Sequence, residues 1–326
     1  MIQLFKRNDI ASSIGLIVLT LLTRVHLFLH PPDVQSISDF NQGLFFTWQS
    51  LKEFYIHQPV LYLFISTILF LLFAFYFNYV INEEKLYQRK SMLPALALVL
   101  YSALVPSLTL FSTVFIANIC LFIAFAKSLQ LYHSRSSKIA SFDIGIWVSA
   151  ACLFYFPAIP MFIFFLMTLL ILRSFSFKEI LAYVFGIVTP FYFALGIVFL
   201  TGHWHSVMPH LFLHIYLPLK LISNVQFIIL TITSLFLIVH SLYLINQSGI
   251  KNPIAVQKKW NVIILYLIFS VLIGIFANIF PGLPWLLAIT PISIILSQAF
   301  HNQKEKYNIF TFYFLLSVIV IVQWLF

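Results

Sequence analysis

Arg24, His26, His30, Asp33 and Asp39 all fall in one stretch, TRVHLFLHPPDVQSISDF (Thr23–Phe40), directly behind the apolar run ASSIGLIVLTLL. A guanidinium binds phosphate, a carboxylate can take a proton as a general base, and imidazole titrates near neutral pH. A second polar group, His203, His205, His210 and His214, followed by Lys220, lies far along the chain. The spacing of His210 and His214 puts two imidazoles on one helical face, but zinc needs a third protein ligand and no carboxylate lies nearby in sequence. These histidines are therefore read as phosphate-binding or pH-responsive groups, and no metal is assigned.

Arg24 is the most telling single residue. Counted from Ala11 it lies about 20 Å along a helix that must cross about 30 Å of hydrocarbon. A cation at the centre of such a helix costs roughly 2.5–3.5 kcal/mol to insert. Three receivers are open: the outer headgroups by snorkelling, a carboxylate inside the bundle, or the phosphate of a ligand. Helical spacing puts Arg24 on the face of Thr20 and Leu27, with His26 and His30 together on a different face. Asp33 follows the break at Pro31–Pro32 and is either a turn cap or a general base held at the membrane surface. Asp39 has the same two readings, as cap of a following amphipathic helix or as the base.

The elements that position these residues follow from composition. Of 326 residues, 62% are hydrophobic and 8% charged, against about 25% charged in a soluble domain. Such a chain cannot wet its own surface, so lipid is its main solvent. The net charge of +9 is scattered in ones, twos and threes between apolar runs. That is the pattern of short loops on one side of a membrane, not of a nucleic-acid groove. Cys120 and Cys152 both lie inside apolar runs, so no disulfide framework is expected.

Apolar segments fall at 11–29, 59–80, 92–106, 108–131, 143–157, 160–173, 180–201, 219–245, 260–280, 284–300 and 308–326. The fifth and sixth, split by FPAIP (156–160), are one kinked helix or a hairpin. With the hairpin, and the N-terminus cytoplasmic, 15 of the 18 Lys and Arg fall on the inner side. Merging the two would put Lys251, Lys258 and Lys259 outside, against the positive-inside bias. The expectation is an all-α, multi-pass bundle of about eleven spans in a bacterial inner membrane, one integral domain over 1–326. Its first helix is retained rather than cleaved as a signal peptide.

Arg24, Lys52 and Lys220 then lie outside, with Asp33, Asp39, Glu53 and 7 of the 10 histidines. The segments FFTWQSLKEFYI and PHLFLHIYLP are expected to lie in the interface with their aromatics down. Asn118, Asp143, Gln226, His240 and Asn278, inside spans, are read as interhelical hydrogen bonds.

Two resemblances enter on these residues. From LPALALVLYSALVPSLTLFSTVFIANICLFIAFAKSL through FDIGIWVSAACLFYFPAIPMFIFFLMTLLILRSFSFKEILAYVFGIVTPFYF, the chain resembles an uncharacterised multi-spanning inner-membrane family of Bacteroidota. A first helix ending in a cation, then an acidic outer loop with interfacial helices and many spans, is similar to the GT-C superfamily of polyprenyl-phosphate-sugar glycosyltransferases. The second resemblance implies a GT-C-like architecture in which Asp39 or Asp33 acts on an acceptor hydroxyl. The phosphate of the lipid-linked donor would then lie near Arg24, His26, His30, His203, His205, His210, His214 and Lys220. The partners it implies are membrane lipids, polyprenyl phosphate among them, and no nucleic acid. The alternative expectation is a non-enzymatic scaffold or transport component working with envelope-assembly proteins. No cofactor is assigned on either reading.

Overall fold

The computed structural model describes residues 2–31, 48–87, 89–105, 110–131, 137–173, 176–202, 225–249, 253–276, 285–301 and 305–325. These form thirteen α-helices and, among the described residues, no strand. In chain order they are α1 (Ile2–Phe5), α2 (Ile10–Leu29), α3 (Trp48–His57), α4 (Pro59–Glu83), α5 (Leu93–Ser102), α6 (Thr113–Gln130) and α7 (Ser137–Phe154). There follow α8 (Pro160–Leu172), α9 (Phe177–Leu200), α10 (Val225–Gly249), α11 (Ile254–Phe276), α12 (Leu286–His301) and α13 (Glu305–Leu325).

Six of them, α2, α4, α6, α7, α9 and α11, are long and apolar enough to cross a membrane by length and composition. The chain is thus an all-helical membrane protein. The other five expected spans coincide with α5, α8, α10, α12 and α13, where the described apolar stretches are shorter. Among the described residues, six helices are thus long and apolar enough to cross, and the count of about eleven is not reached. α5 is short in itself: its ten residues rise only about 15 Å, half the hydrocarbon thickness.

α5 is also buried on every side, all ten residues of it, and nearly all of α12 is buried too. A helix apolar all round belongs inside, wrapped by others. These two short helices pack on each other at the centre, and each carries a proline, Pro94 in the first turn and Pro291 within. Protein packing around them lets such helices sit inside the bundle.

The break at FPAIP is a hairpin. Gly145 on α7 meets Gly186 on α9 so closely that an added Cβ would lie 2.4 Å from Tyr183 O or 2.2 Å from Phe142 O respectively. Small residues allow membrane helices this approach. Just past the end of α7 and farther along α9, Phe156 and Val198 share one cluster. α7 and α9 therefore run in the same direction, and α8 is the return between them. Pro157 and Pro160 end one helix and start the next around a short 3-10 turn, Phe156–Ala158.

Polar residues within the apolar segments tie helices together, as expected for Asn118 and Asp143. Thr290 Oγ1 donates to Asn118 Oδ1 at 2.9 Å, and Lys127 pairs with Asp143 at 2.8 Å. At the N-terminal end of the bundle, α1 is docked rather than free. Met92 N donates to Phe5 O at 3.0 Å, and Ile2 and Phe5 are buried.

Candidate anion site at the end of the first long helix

α2 begins where Asp9 N–H bonds Ser12 Oγ at 3.1 Å and ends at His30, just before Pro31. Its inward stripe is Ser12, Leu16, Thr20, Arg24 and Leu27, a spacing of four and three residues that keeps one face on the core. Arg24 therefore points into the bundle on the face of Thr20 and Leu27, and is 3% exposed. His26 and His30 lie on the other face, half-buried and exposed, with ring centroids 5.0 Å apart. The structure does not bring them to Arg24.

The Arg24 guanidinium stands 4.1 Å from the centroid of the Phe70 ring, a cation–π contact shielded from water and lipid. Phe70 itself is 1% exposed, with the buried hydroxyls of Ser66 and Thr67 one turn away on α4. Beyond them lies an aromatic layer of Leu27, Tyr55, Tyr62, Leu63 and Leu110, with Phe28, Phe54 and Phe111 against it. Its geometry is fixed by hydrogen bonds. Tyr62 Oη donates to Phe111 O, and Phe111 N donates to Ser66 Oγ at 3.2 Å. Tyr55 of α3 meets Tyr62 edge-on at 5.2 Å, so the expected interfacial helix is seated on the start of α4.

A third wall comes from α13. Gln323 Nε2 donates to Thr23 O at 3.1 Å and to Ala103 O at 2.8 Å. Thr23 precedes Arg24, and Ala103 is the cap residue after α5. The C-terminal end of the short helix, with its outward carbonyls and partial negative charge, is thus held beside α2 at the depth of Arg24. An aromatic face and a helix C-terminus both favour a cation there. Of the remaining residues expected here, Asp33, Asp39, His203, His205, His210, His214 and Lys220 lie outside the described residues.

A second polar cluster closes the opposite end of the bundle. Lys259 of α11, 4% exposed, donates to Glu84 Oε2 at 2.7 Å and to Glu84 O at 3.0 Å. On the same turn, Tyr87 donates to Ile294 O at 2.6 Å, accepts from Ser297 and stacks on His301 at 4.2 Å between centroids. Ser91 Oγ and His301 Nε2 are 3.1 Å apart. The turn between α4 and α5 is thereby clamped to α11 and α12.

Sequence reasoning passed over Phe70, Gln323, Glu84, Tyr87 and His301 as site residues. Gln323 alone offered a signal, as an amide inside the last apolar segment. No curated protein and no solved structure matches this chain. A family match covers residues 5–325, nearly the whole chain and well beyond the stretches quoted above, and its description carries no activity. The chain belongs to the family described as "Family of unknown function (DUF6427)".

Proposed function

We propose that this protein binds a lipid-linked phosphate at the outer face of the bacterial inner membrane and transfers a sugar from it, as GT-C glycosyltransferases do. The observation that carries this reading is the inward placement of Arg24. A cation is installed inside the bundle against an aromatic ring, one residue after the carbonyl that Gln323 ties to the end of α5, and the acidic segment 30–58 follows it in the sequence. Intramembrane ionisable groups facing a bundle interior mark substrate sites as a rule. In the reaction, charge develops on the leaving phosphate, and a fixed guanidinium in a water-poor site stabilises it more than water would. Asp39 or Asp33 takes the acceptor hydroxyl proton. His203, His205, His210, His214 and Lys220 are the further groups this reading assigns to the phosphate, whereas His26 and His30, on the other face of α2, face away from it.

A second reading has one observation in its favour. Two short, largely buried helices at the bundle centre, α5 and α12, are the kind of interrupted element that forms binding sites in transporters. A transport or scaffold component would use that centre and need no base in the outer loop. Complementation of a deletion strain separates the two. Asp39→Asn and Asp33→Asn should both be produced at normal levels, and at least one should abolish the phenotype. Full complementation by both variants would eliminate the general base and favour the transport reading.

A further inference from the structure

We infer that Gln323 is the positioning residue of the Arg24 site, and this rests on the anion-binding reading above. Its carboxamide nitrogen bonds α2 and the end of α5 together, through Thr23 O and Ala103 O. The residue is 9% exposed, so both bonds lie in a medium where a lost donor is not replaced by water. Thr23 O already belongs to the helical ladder of α2, and Ala103 O is among the carbonyls a helix end leaves without an intrahelical partner. Gln323 thus serves an orphan acceptor of α5 and, with its other hydrogen, fixes the rotation of α2 one residue before Arg24. Rotation by one residue would carry Arg24 about 100° away from Phe70. Phe70 stays under the guanidinium only while that staple holds, and a phosphate reaching it meets a preset geometry.

The assignment is tested on the full chain in detergent with two probes, farnesyl phosphate and farnesol, which differ only in the phosphate. Gln323→Leu removes the donors, Gln323→Met removes them with less change of shape, and Gln323→Glu replaces the donor nitrogen by an acceptor. All three should weaken farnesyl phosphate about tenfold, the worth of one or two hydrogen bonds, and leave farnesol binding unchanged. A purely structural amide would lower both affinities together with the melting temperature, and that result overturns the inference, as does unchanged binding of farnesyl phosphate. Arg24→Leu keeps the two levels apart. If it leaves farnesyl phosphate binding intact, the anion-site reading itself has failed. If it abolishes that binding while Gln323→Leu and Gln323→Met do not alter it, the positioning role alone is wrong.

Discussion

The two ends of this bundle each bury a cation, and they do it differently. Lys259 is surrounded by acceptors: the Glu84 carboxylate, the Glu84 carbonyl and a turn held further by Tyr87, Ser297, Ser91 and His301. Arg24 is instead laid on Phe70, with the end of α5 stapled alongside by Gln323. The first arrangement saturates its charge with fixed protein partners and locks four helices at one end. The second rests a planar, five-donor group on a ring face, and a phosphate is the bidentate partner such a fork is shaped for. Burial of a cation is compatible with a clamp or with a receptor, and the proposal assigns the first role to Lys259 and the second to Arg24.

The largest expected effect lies at the clamp. Glu84→Ala strands Lys259 inside the bundle and should cost about 3–5 kcal/mol, whereas Glu84→Leu combined with Lys259→Met should recover most of it. Thermal unfolding of the purified variants reads both, and the losses should be strongly non-additive. If the single losses simply add, the pair is not a clamp and the contrast between the two ends collapses.

A smaller effect is expected at the receptor end. Phe70→Leu keeps an apolar side chain but removes the ring face, and should cost about 0.5–2 kcal/mol of stability beyond the packing lost with the ring. The same measurement on Phe73→Leu, a neighbouring core ring against Phe115 and Phe122, serves as the control without a cation. Equal losses at both positions would show that the ring under Arg24 acts only as packing.

The smallest effect concerns His301, one residue past the apolar segment 284–300. Burial, with the Lys6 charge beside it, lowers its pKa to about 4, against about 6.5 in an unfolded chain. The folded protein therefore favours neutral imidazole. Its contribution to stability is complete above pH 6.5 and is lost as the pH falls from there through about 4. Melting temperature should decline across that window, and His301→Asn should flatten the decline without shifting the plateau above pH 7. A profile unchanged by the substitution would detach His301 from the clamp.

Much of this was written locally. The apolar runs gave the helices, and period alone put Arg24 with Thr20 and Leu27 and the two histidines elsewhere. The charge count gave the hairpin at FPAIP that Gly145 and Gly186 now fix in space. The failures share one cause, separation along the chain. Leu93–Ser102 reads as a span because an apolar run looks the same whether lipid or protein surrounds it. Lys259 and Glu84 are 175 residues apart, and Gln323 bonds a carbonyl 300 residues away. No spacing rule reaches that far, so both were visible only as charges or amides of unknown address. Asp33 and Asp39, the residues on which catalysis was placed, lie outside the described residues.

The central claim is that Arg24 receives a phosphate, and one paired measurement on purified Arg24→Leu and Arg24→Lys tests it most directly: melting temperature alongside farnesyl phosphate affinity. The account predicts that the Leu variant stays folded, within about 1.5 kcal/mol of wild type, and loses phosphate-dependent binding. The Lys variant should keep part of the binding, since an ammonium holds phosphate as a point charge but without the bidentate fork. A Leu variant that is stable and binds farnesyl phosphate as well as wild type would contradict the claim, and one that loses several kcal/mol would make Arg24 a second clamp.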